Sequence, residues 1–471
     1  MFKSKLNTVI SSLSAVQLNR LSKFIDSPYL NPNQSLNNLG QYIINHKDDE
    51  HSLDREVIWQ NIFPEAPFNY PKLRKMSSDL MTLIENFFVI EDVVNDPLEM
   101  KAKLTESLAK REMSILFSRS FKGAQKLDIL EEGKTARDFY YKYQVEYNAF
   151  RMVNYDLDRF AKTNLTDITN NLDIFYVVEK LRYACDALSR NPLSKEYDDF
   201  LISEIVNGIN KNEFLRNVPI VSVLLSIYHT LVDYENEEHY YNLKSLLEKY
   251  AGYFTKEDTK KFYESAINYV IDRINDPGSN FLNELFILYK SYLNKGFITI
   301  DDKINPYTFK NIVTTGLRLQ EYEWVSYFIE EYKQYLPESF RDNVYSYHKA
   351  QLYFYTKDYG KMLQLLQTIE YEDLSYNLGA KSMLLAAYYE TDEIEPLLSL
   401  LDSFKVFLNR QKKKIPSSTL NNYSNLLKFT RKLLRIDRGD KAAIEAIKNE
   451  MNATKGIASA NWLKEKVDEL E

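Results

Sequence analysis

Along most of the chain, apolar residues recur at steps of three and four, the spacing that puts them on one face of a helix. In "SAVQLNRLSKFI", residues 14–25, Leu18, Leu21 and Phe24 or Ile25 form such a stripe. Ser14 with Gln17 three residues on makes a capping box, and "SPYLNPN" ends the segment with two prolines. Further helices are predicted at "SLNNLGQYIINH" and "DREVIWQNIF", with a longer one at "YPKLRKMSSDLMTLIENFFVI". In "NDPLEMKAKL", Asp96 can cap, Pro97 suits the first helical position, and Glu99 faces the positive helix end. From there helices are predicted over 97–130, 135–163, 167–189, 195–209, 218–234, 238–252, 256–275 and 280–294, the 256–275 helix opened by Thr255 and Asp258. No run alternates as a strand would. The expectation is an all-α protein.

The stretch "EYEWVSYFIEEYKQYLPE", residues 321–338, is both aromatic and charged. Tyr322, Val325, Phe328, Ile329, Tyr332 and Leu336 fall on one stripe, and Glu323, Glu330, Glu331 and Lys333 lie mainly off it. This is an amphipathic helix that packs on neighbours, not a membrane anchor. Tyr322, Tyr359 and Ile394 stand at the same place in three similar segments, 37 and 35 residues apart. Three positions later come Val325, Met362 and Leu397, and seven later Ile329, Leu366 and Leu401. Pro337 follows the first segment only, and "YTFKNIVTTGLRL", "YSYHKAQLYFYT" and "NLGAKSMLLAAYYE" supply the preceding helices.

On these residues, 306–408 resembles three degenerate tetratricopeptide repeats, whose period is about 34 residues. Bulkier residues often replace the motif's small ones. The whole chain also resembles a group of uncharacterised bacterial proteins, through "FIDSPYLN", "LRYACDALSR", "GLRLQEYEWVSYFIEEYKQYLPE" and "NWLKEKVDEL". That resemblance implies a bacterial, intracellular setting. The expected organisation is a small helical domain over 1–95, a degenerate helical-repeat array over 96–305, tetratricopeptide-like repeats over 306–408, and a basic helix with capping helices over 409–471. Together they predict a right-handed solenoid of helix pairs.

Composition supports helices: 12 Gly and 13 Pro in 471 residues are too few for a fold made of tight turns. The single cysteine, Cys185, excludes an internal disulfide and reads as a small core residue. No run approaches a membrane span, and the N-terminus has neither the apolar core nor the cleavage site of a secretory signal, so a cytoplasmic setting is expected.

Catalytic signatures are missing. There is no glycine-rich phosphate loop and no paired-histidine zinc motif. "HKDDEH" places His46 and His51 five apart, which does not align two imidazoles on a helix, and reads as a solvated loop. Adjacent acids such as Glu330–Glu331 and Asp301–Asp302 point in different directions. We therefore expect no enzyme, metal or cofactor.

The one constellation above background is electrostatic. Residues 405–438 carry ten basic side chains against one acid, Asp437, in a chain of net charge −7. Just before them, residues 370–402 hold eight acids and one lysine. Lys428, Arg431, Lys432 and Arg435 make one face of a helix, opposite Leu420, Tyr423, Leu427 and Leu434. With Arg410, Lys412, Lys413 and Lys414 they are the candidate partner-binding residues, expected to form one exposed patch; a solvated face, or pairing with the acidic run, is the alternative. The expected function is a protein–protein interaction scaffold, with a protein or peptide as partner. The second reading is a regulator that contacts nucleic acid through the N-terminal helices or the basic helix. Net negative charge and the absence of a recognition motif count against it.

Overall fold

The computed structural model describes residues 4–130, 135–153, 162–190, 201–274, 280–298, 303–366 and 374–471. Every regular element among them is helical. By packing, the chain divides into two units, one of residues 1–235 with 248–255 and the other of 236–247 with 256–471.

The first unit begins with α1 (Lys5–Ser11), α2 (Ala15–Ile25), α3 (Gln34–Asn45), α4 (Arg55–Ile62) and α5 (Tyr70–Asn95). The Ser14–Gln17 capping box forms: the Gln17 N–H donates to Ser14 Oγ at 3.3 Å and the Ser14 N–H to Gln17 Oε1 at 3.0 Å. α5 buries Leu73, Met76, Leu80, Leu83, Ile84 and Phe87 against Leu21 and Ile25 of α2, Leu39 and Ile43 of α3, and Trp59 of α4. Gly40 lets α3 approach closely, because a Cβ there would stand 2.9 Å from Ile25.

Then follow α6 (Pro97–Lys110), α7 (Ser114–Leu130), α8 (Ala136–Met152), α9 (Leu165–Arg190), α10 (Ile202–Lys211), α11 (Glu213–Arg216) and α12 (Pro219–Val232). Asp96 caps α6 as expected, accepting from the Leu98 and Glu99 N–H groups at 3.0 and 2.9 Å. α6 packs on α7 and α8, and α9 on α8 and α12.

The single helix predicted over 97–130 is two. At the break the Glu112 N–H donates to the Ala109 carbonyl and the Met113 N–H to the Leu108 carbonyl, both at 3.1 Å, with Glu112 left-handed at φ 55°. This is the Schellman motif, which reverses the chain by satisfying the last carbonyls of the helix. Its left-handed position is occupied by a glutamate, so no glycine marks it in the sequence.

The second unit holds α13 (Glu237–Lys249, as far as Leu247), α14 (Lys256–Arg273), α15 (Phe281–Asn294), α16 (Pro306–Arg318), α17 (Tyr322–Tyr332), α18 (Glu338–Tyr355), α19 (Tyr359–Leu366), α20 (Leu374–Glu390), α21 (Ile394–Gln411), α22 (Ser417–Leu433), α23 (Lys441–Ala453) and α24 (Ala460–Asp468). The aligned residues Tyr322, Tyr359 and Ile394 are the first residues of α17, α19 and α21. Val325, Met362 and Leu397, three positions on, are fully buried, and Ile329, Leu366 and Leu401 are buried too.

A Schellman turn precedes each of the three helices. Gln320, Lys357 and Asp392, two residues before each start, are left-handed at φ 62°, 60° and 58°. The next N–H groups, of Glu321, Asp358 and Glu393, donate to Gly316, Tyr353 and Tyr388 at 3.0, 2.8 and 2.9 Å. Each first helix packs on its second: α16 on α17, α18 on α19, α20 on α21. α16 also touches α18, and α18 touches α20.

In the aromatic stretch, Trp324 stacks on Phe328 and Phe328 on Tyr332, at ring separations of 5.6 and 5.0 Å, while Phe309 of α16 closes on Phe328 at 4.9 Å. A Cβ at Gly316 would stand 2.5 Å from Val325, so glycine permits this approach of α16 to α17. Ala350, Ala386 and Ala387 are fully buried in first helices. No helix among the described residues is long and apolar enough to cross a membrane. The Asp301–Asp302 pair, and Glu370, Glu372 and Asp373 of the acidic run, lie outside the described residues.

Candidate functional site

The basic residues singled out in the sequence fall into two groups. Arg410 lies in the last turn of α21, and Lys412, Lys413 and Lys414 occupy the turn before α22; all four are exposed. Lys428, Arg431, Lys432 and Arg435 lie on the last turns of α22 and just beyond it. At about 1.5 Å per residue, the 17-residue helix separates the two groups by roughly 20 Å. They lie at opposite ends of α22 and do not make the single patch expected.

Three of the four cations of the second group are also paired within their own unit. Lys428 Nζ is 2.7 Å from Glu450 of α23, Lys432 pairs with the same carboxylate, and Arg431 pairs with Asp402 of α21. Asp402 belongs to the acidic run. The bonds from Lys428 and Lys432 hold the Glu450 carboxyl below its ordinary range. The opposite face of α22 buries Leu426, Leu427, Phe429, Thr430 and Leu433, a wider arc than the leucines alone predicted.

A second place gathers side chains that the sequence did not single out. A groove of about 420 Å³ runs over Tyr347, Gln351, Phe354 and Tyr355 of α18, Gly379, Ser382 and Met383 of α20, and Thr419, Asn422 and Tyr423 of α22, closed by Ala458 and Ser459. Helical periodicity builds it: 347, 351 and 355 are four apart, as are 379 and 383 and also 419 and 423, so each helix offers one row. Gly379 makes room for Tyr347, whose hydroxyl oxygen would stand 2.1 Å from a Cβ there. α22 holds the closing turn: the Ala458 N–H donates to the Asn422 carbonyl at 3.0 Å, and Asn425 Nδ2 donates to the Gly456 carbonyl at 2.8 Å.

Among the described residues, no lining side chain is a carboxylate, histidine, lysine or arginine. Burial raises the Tyr355 and Tyr423 phenols above their ordinary range, so they stay protonated and can donate. Hydroxyls, amides and rings can bond and stack against a ligand. Below the groove, His348 is wholly buried; its Nδ1 meets Gln351 Oε1 at 3.1 Å while its Nε2 has no partner. Burial lowers its pKa to about 3, so it is neutral at pH 7.

The remaining candidates are structural. Cys185 is buried in α9, and burial, with Asp186 adding to it, pushes its thiol up to about 12, far from thiolate chemistry. His46 Nδ1 meets the Tyr42 carbonyl at 2.8 Å and its ring stacks on Tyr42, while the His51 N–H donates to Asp49. Comparison of the chain with protein-family models, curated proteins and solved structures returned no match.

Proposed function

We propose that the protein is a non-enzymatic binding scaffold, and that the second unit holds an extended segment of a partner protein in the groove over α18, α20 and α22. In this reading α16 to α21 are three tetratricopeptide-like helix pairs in a right-handed solenoid, and the groove is the concave side made by the first helices. The observation that carries it is the lining: α18 and α20 of the repeat region, with α22 just beyond it, contribute uncharged donors, acceptors and rings at four-residue spacing. Such groups suit a peptide backbone, whose N–H and C=O groups must be satisfied when they leave water. The repeated Schellman turn and the shared buried positions support the repeat reading. A cytoplasmic setting goes with it.

The partner is placed in the groove and not on the basic end of α22, because Lys428, Arg431 and Lys432 are already engaged by Glu450 and Asp402. Site-specific photo-crosslinking in native cells tests this. A benzophenone side chain in place of Thr419 is expected to capture a discrete protein. The same group in place of Leu398, exposed on α21, is expected to capture none. Equal capture at the two positions, or none at either, contradicts the groove. Capture of nucleic acid, lost steeply as salt rises, would favour the regulator reading.

A further inference from the structure

The first unit contains a different groove, of about 650 Å³, between α6 and α7. The Schellman turn at Glu112 folds the two helices against each other. Leu104, Leu108 and Leu116 line it, and around them stand Lys101, Arg119, Lys122 and Lys126, with no acid in the lining among the described residues. Among the described residues, none of these four cations has an ion pair. Lys110, which lies outside the lining, does pair, with Glu106 at 2.6 Å. Gly123 lies beneath Lys101, whose ammonium would be 3.4 Å from a Cβ at that position.

Ser120 adds an independent observation. It lines the groove, it is 5% exposed, and its buried hydroxyl has no hydrogen-bond partner. A helical serine ordinarily donates to the carbonyl one turn back, and a buried hydroxyl without a partner is uncommon. Four unpaired cations and one unsatisfied hydroxyl therefore converge on a cavity of ligand size.

We propose that this groove binds a small organic phosphate ester. Its dianionic phosphate would be held by Lys101, Arg119, Lys122 and Ser120, and its apolar group would rest on Leu104 and Leu116. A phosphate fits better than a carboxylate, because several cations and a hydroxyl donor exceed what two carboxylate oxygens accept, whereas a phosphate monoester presents three terminal oxygens. An apolar portion is required because Leu104 and Leu116 are 37% and 52% exposed. Nucleic acid fits poorly: no aromatic ring among the described residues lines the groove, so bases have no surface there to stack on.

Calorimetric titration of the full chain tests the proposal, with phenyl phosphate, inorganic phosphate and benzyl alcohol as probes. Phenyl phosphate is expected to bind saturably at one site, at least tenfold more tightly than inorganic phosphate, and benzyl alcohol not detectably. The double variant Lys101→Gln/Lys122→Gln is expected to keep its helical spectrum and lose at least tenfold in phenyl phosphate affinity. Ser120→Ala is expected to lose severalfold while the ligand-free midpoint of thermal unfolding stays level or rises, because an unsatisfied hydroxyl is removed. Absence of saturable phenyl phosphate binding, equal affinity for inorganic phosphate, or unaltered binding by the folded double variant would each overturn the proposal.

Discussion

The basic end of α22 and the groove between α6 and α7 are both rich in lysine and arginine, and they differ in how those cations are paired. On α22 the cations find Asp402 and Glu450 from neighbouring helices. In the α6–α7 groove Lys101, Arg119, Lys122 and Lys126 share a cavity that contains no acid among the described residues. Linear charge density favours the first region, since it belongs to the stretch 405–438 with ten basic residues and one acid, whereas Glu99, Glu106 and Glu112 interleave the second. Tertiary pairing reverses the ranking. What marks a cation as available to a ligand is the lack of a partner in three dimensions.

The strongest way to break this comparison is to remove a partner where the cation is buried. Lys466 of α24 is 2% exposed and pairs with Glu390 at 2.9 Å and Glu469 at 2.6 Å, and Trp462 Nε1 donates to Glu390 at 2.8 Å. Burial disfavours its charge, and the bonds it donates to the two carboxylates outweigh this and raise its pKa. Glu390→Ala is expected to cost about 1–3 kcal/mol in denaturant unfolding, because it leaves the Trp462 N–H without its acceptor and Lys466 with Glu469 as its remaining close partner. A cost below about 1 kcal/mol would mean that Lys466 swings out to water.

His348 is the complementary case, a buried ionisable group that remains neutral. Its folded pKa of about 3 lies below the ordinary value of 6.5, so the unfolded chain takes up a proton first as pH falls. Stability contributed by the neutral ring is therefore present above pH 6.5 and lost between pH 6.5 and 3, by about 1.4 kcal/mol per unit. Relative to pH 7, the wild type is expected to lose about 2 kcal/mol more at pH 5 than His348→Leu does. Parallel pH profiles of the two chains would contradict this.

Exposed pairs sharpen the comparison with smaller effects. Glu450→Gln removes the partner of both Lys428 and Lys432 and is expected to cost at most about 1 kcal/mol, since these side chains are nearly half exposed. The turn that shapes the α6–α7 groove offers a gain of similar size. Glycine at Glu112 removes the cost of a left-handed non-glycine residue, so Glu112→Gly is expected to stabilise by about 0.5–1 kcal/mol, read from the denaturation midpoint. Lys101→Gln, which breaks no pair, is expected to change stability by less than about 0.5 kcal/mol.

Helical content was legible because the three- and four-residue period persists through nearly every segment. Ser14 with Gln17, Asp96 with Pro97, and the aligned Tyr322, Tyr359 and Ile394 all mark helix starts found in the structure. The break after α6 was hidden because its left-handed residue is Glu112, and Gln320, Lys357 and Asp392 conceal the same turn elsewhere. α1 was missed, since Ser4 caps a helix of only seven residues. Periodicity could also show which face of α22 was basic. It could not show Asp402 and Glu450 arriving from other helices, because pairing is a property of packing. The row at Tyr347, Gln351 and Tyr355 was readable as a polar and aromatic stripe at four-residue steps, yet without knowledge that α18, α20 and α22 line one groove it resembles any solvated helix face.

The central claim is that the second unit binds its partner through the α18–α20–α22 groove and not through the basic end of α22. One quantitative pull-down from the native cell tests it directly, comparing three chains. The first is wild type, the second carries Gln351→Arg with Thr419→Arg, and the third carries Glu at positions 428, 431, 432 and 435. With all three helical by circular dichroism, the groove variant is expected to lose the wild-type partner at least tenfold, and the charge-reversed chain to retain it within about twofold, as surface charges of this kind contribute little. Loss from the charge-reversed chain with full retention by the groove variant would contradict the account.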